Sequence, residues 1–95
     1  MGRMRGIRGA TTADENTSEA IIEATSELLQ SLVEANDVQL DDIAAVQFTS
    51  TVDLNAEFPA LAARKIGWVD VALLGSVEVD APGATEKCIR VLLLV

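Results

Sequence analysis

The stretch CIRVLLLV, residues 88–95, decides the fold of this chain. It predicts a β-strand whose side chains point alternately to opposite faces, so Arg90 shares one face with Cys88, Leu92 and Leu94. Because both faces are otherwise apolar, we expect the strand to be buried on both sides. An arginine keeps its charge inside a protein, and burying it is costly unless an anion balances it. The stretch therefore predicts an anionic partner for Arg90.

A second cation stands in the first apolar stretch, MRGIRGA at residues 4–10, which predicts a strand over residues 3–11. Two arginines, Arg8 and Arg90, on two strands of one small domain favour a pocket for a small anion. Simpler explanations stay open. Arg90 can form a buried ion pair with Glu78, Arg8 can reach water from a strand end, and Glu78 can be a surface carboxylate.

The segments between these strands predict one mixed α/β (α+β) domain over residues 1–95, with the element order β-α-β-α-β-β. Asn16 as N-cap and Glu19 at N3 form a capping box that starts the first helix, which should end near Asn36. A short second helix is predicted over residues 58–66. Strands are predicted over residues 43–51, 68–74 and 86–95. Gly75 and Ser76 are expected to loosen the chain after the second of these, and a type II turn is predicted at residues 81–83.

Composition limits the classes of partner. The net charge of −8 disfavours nucleic acid and anionic membranes. No apolar run approaches the roughly 20 residues of a membrane span, and the first residues lack the apolar core of a signal peptide, so we expect a cytoplasmic protein. Hydrophobic residues make up 49% of a chain of only 95 residues, which is more than a small domain buries easily. We therefore expect self-association through an apolar face.

The residue inventory limits the chemistry. The chain has no histidine and one cysteine, which leaves no common general base, no histidine-based triad, no internal disulfide and no metal-ligand spacing. Cys88 is expected to be a small core residue, and Arg64 to be either a surface cation or an anion ligand. Arginines with one carboxylate suit a reaction that needs positioning and charge stabilisation, without covalent or acid–base steps.

Four segments of the chain resemble the trimeric, pseudo-α/β-barrel class of chorismate mutase. They are RGIRGATT at residues 5–12, DL followed by FPA at residues 53–60, AR and GW at residues 63–68, and EVD followed by KCIRV at residues 78–91. The order and spacing match from about Met4 to Val95. The resemblance implies a mixed sheet in a homotrimeric pseudo-barrel, and an isomerase of Phe and Tyr biosynthesis that converts chorismate into prephenate without a cofactor or a metal.

The resemblance also implies roles for individual residues. Arg90 would donate to the ether oxygen and a carboxylate of the substrate, Arg8 would bind a carboxylate, and Glu78 would hold the ring hydroxyl. Phe58 and Arg64 match positions that a neighbouring subunit contributes to the site. The substrate-binding surface would be completed by Leu74, Gly75 and Cys88.

The chain departs from the family pattern at three places. Leu61 stands where a lysine is usual, and Gly75 where a cysteine is frequent. The family continues past the last strand with a strand that carries a substrate-binding tyrosine and with a tail, and we expect this domain to lack both. Two alternatives to an active mutase follow. They are a noncatalytic trimeric binding module for a small dicarboxylate, and an inactive truncated fragment whose last strand pairs with another chain.

Overall fold

The computed structural model describes residues 3–95; Met1 and Gly2, with which the predicted domain 1–95 begins, lie outside the described residues. The elements are β1 (Gly6–Thr12), α1 (Ser18–Ala35), a short 3₁₀ helix (Leu40–Asp42), β2 (Ala45–Ser50), α2 (Ala60–Lys65), β3 (Ala72–Val77) and β4 (Cys88–Leu94). The predicted order of strands and helices is confirmed. No helix in the described range is long and apolar enough to cross a membrane.

Four strands of the described chain form one mixed sheet in the order β1-β4-β2-β3. β4 lies between β1 and β2 and is antiparallel to both, whereas β3 pairs with β2 in parallel. β4 is thus an inner strand of the sheet, paired on both edges. β1 and β3 are the edge strands of this single chain.

Both helices pack against the same face of the sheet. β1 and β2 run parallel, as do β2 and β3, and right-handed crossovers place the connecting helices on one side. Leu29 of α1 and Ala63 of α2 meet Phe48, Val91 and Leu93 of the sheet in the main core. The other face of the sheet stays open in the single chain, and we call it the open face.

The expected burial of β4 on both sides is wrong for the single chain. Ile89, Val91 and Leu93 are buried beneath the helices, but Arg90 is exposed and Leu92 is only half-buried. The predicted alternation of faces is confirmed; the error lies in assuming that a layer covers each face. An apolar strand face signals that something must cover it, and here the chain's own helices cover just one face.

Helix α1 begins one residue later than the capping box predicted. Its N-cap is Thr17, whose side-chain oxygen accepts a hydrogen bond from the Ala20 N–H at 3.1 Å. Asn16 is instead hydrogen-bonded to Asn55, in a loop 39 residues further along the chain. The predicted end of the helix is confirmed, since Asn36 is the C-cap.

The third strand also begins later than predicted. Trp68 and Val71 are buried, but in a loop before β3, and both main-chain carbonyls accept hydrogen bonds from Nη1 of Arg64. Gly75 and Ser76, predicted to loosen the chain, lie inside β3. Apolar content alone does not separate a strand from a buried loop, and here an arginine on the preceding helix satisfies the loop carbonyls.

Candidate active site

The predicted catalytic residues meet in a groove on the open face. Strand register aligns Arg8 of β1 with Leu92 of β4 and Gln47 of β2, and aligns Ala10, Arg90 and Thr49 in the next row. The groove has a volume of about 690 Å³ and is lined by Arg8, Gly9, Ala10, Gln47, Thr49, Glu78, Arg90, Val91 and Leu92. Residues far apart in the sequence thus share one surface because β4 lies between β1 and β2.

Arg90 and Glu78 form an ion pair within this groove, with 2.9 Å between Nε and Oε1. Glu78 follows β3 directly, and its main-chain N–H donates to the Ser50 carbonyl at 2.9 Å, which extends the pairing of β3 with β2. The Arg90 side chain is nevertheless 57% exposed. Because Nε makes the contact to Glu78, the terminal nitrogens of the guanidinium can serve an incoming anion.

Two buried polar atoms of the groove have no hydrogen-bond partner among the described residues: Oε2 of Glu78 and Oγ1 of Thr49. Buried polar atoms in folded proteins are nearly always hydrogen-bonded. A free carboxylate oxygen and a free hydroxyl, both beside a guanidinium, therefore suit a ligand that carries a hydroxyl as well as negative charge. Thr49 was missed in the sequence, because only the strand register shows that it is the direct partner of Arg90.

Arg8 supplies the second positive charge of the groove and is exposed. Together, Arg8 and Arg90 against Glu78 leave an excess of positive charge in this groove, although the whole chain carries a net charge of −8. An acidic exterior around a locally basic groove selects small anions over large polyanions.

Phe58 and Arg64 lie outside this groove in their own chain. Phe58 is 79% exposed and borders a separate cavity of about 370 Å³ that also touches Gly75 and Val77. Arg64 is bound to the main-chain carbonyls of the loop before β3. A single chain therefore does not bring these two residues to Arg90.

Of the other predicted substrate-binding residues, one extends the groove and two lie elsewhere. Leu74 is aligned with Gln47, so it extends the groove row onto β3, and it is 62% exposed. Gly75 is aligned with Phe48, on the helix-facing register, and belongs to the Phe58 cavity. Cys88 is buried, as expected for a core residue.

Asp53 fixes the start of β4 near the groove. Its carboxylate accepts hydrogen bonds from the Thr51 hydroxyl and from the Lys87 main-chain N–H, and Thr51 in turn accepts from the Cys88 N–H at 3.0 Å. The Thr51 hydrogen bond, followed by that from Lys87, lowers the pKa of Asp53. Lys87 has a φ of 47°, in the left-handed region, so this network holds a sharp turn just before Arg90.

Within residues 3–95, no group of three or more histidine, cysteine, aspartate or glutamate side chains is placed to hold a metal ion. The groove offers charged and hydroxyl side chains, and its chemistry is that of anion binding and electrostatic stabilisation.

Comparison with known proteins identifies relatives of this chain. Residues 4–95 match the family described as chorismate mutase type I. The chain is 53% identical to chorismate mutase AroH of Thermus thermophilus over 92 residues, which is 96% of this chain and 75% of that protein. It is 41% identical to chorismate mutase AroH of Bacillus subtilis over 93 residues, 97% of this chain and 73% of that protein.

A solved structure has a closely similar fold. A chorismate mutase from Clostridium thermocellum superimposes with a TM-score of 0.92 at 48% identity, covering 94% of this chain and 80% of that one. The chain thus spans about three quarters of the length of the two AroH relatives.

Proposed function

The chain belongs to the type I chorismate mutase family, and on that premise we propose that it converts chorismate into prephenate in the synthesis of phenylalanine and tyrosine. The reaction is a [3,3] rearrangement within one molecule, and it needs no cofactor. The observation that carries the proposal is the meeting of Arg8, Glu78 and Arg90 in one open-face groove.

Each of these side chains has a task that suits its chemistry. Chorismate carries two carboxylates and a ring hydroxyl. Arg8 binds a carboxylate, and Oε2 of Glu78, which has no partner within residues 3–95, accepts a hydrogen bond from the hydroxyl. As the C–O bond breaks, the ether oxygen gains negative charge, and the terminal N–H groups of Arg90 donate to it.

The catalytic gain comes from a preset charge. The Glu78 carboxylate holds the Arg90 guanidinium at Nε before substrate arrives, so little reorganisation is needed when charge develops on the oxygen. Interactions that strengthen only in the transition state raise kcat, and one such donor contributes about 10²–10³-fold. Holding the flexible substrate in the compact conformer that reacts adds a further entropic gain.

We propose a homotrimer with the sites between subunits. Support comes from exposed apolar side chains on β3 and just after it: Leu74, which extends the open face, and Val77 and Val79 at the end of the strand. It comes also from Phe58 and Arg64, which lie outside the groove of their own chain. A cyclic trimer uses the same heterologous contact three times, so each groove would receive the Phe58 loop of a neighbour.

Subunit mixing tests the assembled site. Arg90→Ala homotrimers should be slower than the wild type by about 10²–10³-fold, and Phe58→Ala homotrimers should be impaired. Randomly mixed trimers should recover about a quarter of the wild-type rate, since a site then pairs an intact Arg90 with an intact Phe58 from different chains. Recovery would support shared sites, whereas rates equal to the average of the two parents would place both residues of a site in one chain.

Affinity for a bicyclic transition-state mimic separates an enzyme from a binding module. A mutase should bind the mimic at least about 10²-fold more tightly than chorismate, whereas a module for small dicarboxylates would bind both alike. A cytoplasmic location is part of the same proposal; the one cysteine is free and buried, which is compatible with a reducing compartment.

A further inference from the structure

The loop that carries Phe58 is hydrogen-bonded to residues at the start of helix α1. Oδ1 of Asn16 accepts hydrogen bonds from the main-chain N–H groups of Asn55 and Ala56, both at 3.0 Å. Nδ2 of Asn16 donates to Oδ1 of Asn55 at 2.8 Å. One side chain thus makes three hydrogen bonds to two consecutive residues of a loop 39 positions away.

A second set of contacts extends this network to Phe58 itself. The Ser18 hydroxyl donates to Oε1 of Glu57 at 2.7 Å, and Oε2 of the same carboxylate accepts from the Phe58 N–H at 3.0 Å. The hydrogen bond from Ser18, and then that from Phe58, lowers the pKa of Glu57. The carboxylate is therefore charged at neutral pH and joins α1 to the main chain of Phe58.

The loop is fixed at its two ends by apolar packing as well. Leu54, before the loop, is buried against Ile21 of α1, and Pro59, directly after Phe58, is buried. The Phe58 carbonyl accepts from the Leu61 N–H at 3.0 Å, the first turn of α2. The main chain of Phe58 is thus anchored on both sides, yet its side chain is 79% exposed.

A rigidly held main chain beneath an exposed aromatic ring is an arrangement suited to intermolecular contact. We infer that Asn16, with the Ser18–Glu57 pair, is a positioning clamp that aims Phe58 into the substrate site of a neighbouring subunit. This inference rests on the proposed function. Asn16 itself touches no substrate; it acts through the loop.

A double-mutant cycle with Phe58 tests the clamp. Asn16→Ala should lower kcat/KM by about tenfold, because the Phe58 side chain would be displaced from the substrate although it is still present. Asn16→Asp, which keeps an acceptor for the two N–H groups, should retain most of the activity. In a Phe58→Ala background, Asn16→Ala should cause no further loss. An equal loss in both backgrounds would overturn the clamp, since the effect would then not pass through Phe58.

Asn36→Ala is the matched control. It removes the same side chain from the other end of α1, where Nδ2 of Asn36 donates to the Leu32 carbonyl of the same helix at 2.9 Å. We expect kcat/KM to stay unchanged in this variant. An Asn36→Ala loss as large as that of Asn16→Ala would indicate a general effect on the helix and would overturn the inference.

Amide hydrogen exchange separates failure of the clamp from failure of the proposed function. Asn16→Ala should speed exchange at the N–H groups of Asn55 and Ala56, and Asn36→Ala should not. Faster exchange with an unchanged kcat/KM, while Phe58→Ala does lower activity, would refute the positioning role alone. An unchanged kcat/KM in Phe58→Ala itself would remove Phe58 from the site, and with it both that part of the proposed function and the clamp's role.

Discussion

Replacing Gly9 with alanine tests how closely α1 is seated on the sheet that carries Arg8. A Cβ at Gly9 would lie 3.0 Å from Cδ1 of Leu28, and 3.0 and 3.3 Å from the two Cδ atoms of Leu32. Its φ is not in the left-handed region, so alanine would be strained by packing alone. At Gly6, on the opposite face of the same strand, a Cβ would meet one atom of Leu92 at an ordinary 3.4 Å.

Gly9→Ala should destabilise the fold, whereas Gly6→Ala should not. Crowding at Gly9 costs about 1–3 kcal/mol, because two leucines approach the new methyl group and only their tips can move. Either alanine restricts the unfolded chain, which stabilises the fold by about 0.4–1 kcal/mol. Gly9→Ala should therefore lose about 1–2 kcal/mol, while Gly6→Ala should be neutral or slightly more stable than the wild type.

Urea denaturation followed by far-ultraviolet circular dichroism measures this difference. All proteins must be compared at one concentration, since self-association would add to the apparent stability. An unfolding midpoint for Gly9→Ala at or above that of Gly6→Ala would refute the close packing of α1 on β1. A shifted β1 would also displace Arg8, so kcat/KM should fall more in Gly9→Ala than in Gly6→Ala.

Three further predictions concern Thr49 in the groove, Asp53 near it and Arg64 outside it. Thr49→Val should lower kcat/KM about tenfold and Thr49→Ser should not, because serine keeps a hydroxyl beside Arg90; equal rates in steady-state assays would exclude a role for that hydroxyl. Asp53 has a lowered pKa, so its stabilising effect is complete above its ordinary value of 3.8 and is lost as the pH falls through the lower folded value. The gap in urea midpoint between the wild type and Asp53→Asn should therefore narrow on acidification from about pH 6 to about pH 3, and a constant gap would contradict the network at Lys87. Arg64→Ala should cost about 1–3 kcal/mol of stability because two loop carbonyls lose their donor, and an unchanged midpoint would show that those hydrogen bonds are unimportant.

The sequence predicted the element order, because strand alternation and helix periodicity are local signals. It also predicted which side chains share a face with Arg90 on that strand. The predictions that were wrong concern residues whose structure depends on partners distant in the sequence. Asparagine is a favoured N-cap residue, but the side chain of Asn16 is hydrogen-bonded to Asn55 and Ala56. The next residue, Thr17, therefore caps the helix.

The groove shows the same division. Arg8, Glu78 and Arg90 could be chosen as candidates because charged residues in apolar strands are unusual. Thr49 could not, since a threonine in a strand is ordinary until the register places it opposite Arg90. The exposure of Arg90 was also out of reach, because a strand sequence does not say which of its faces the chain's own helices cover.

Turnover of chorismate by the 95-residue chain, beside its Arg90→Ala variant, tests the central claim most directly. Loss of the ultraviolet absorbance of chorismate measures the rate, and circular dichroism confirms that both proteins are folded. We predict turnover above the uncatalysed rate, reduced by about 10²–10³-fold in Arg90→Ala. A near-normal rate in the folded variant would contradict the role given to Arg90, and no turnover by the wild-type chain would contradict its activity as a mutase.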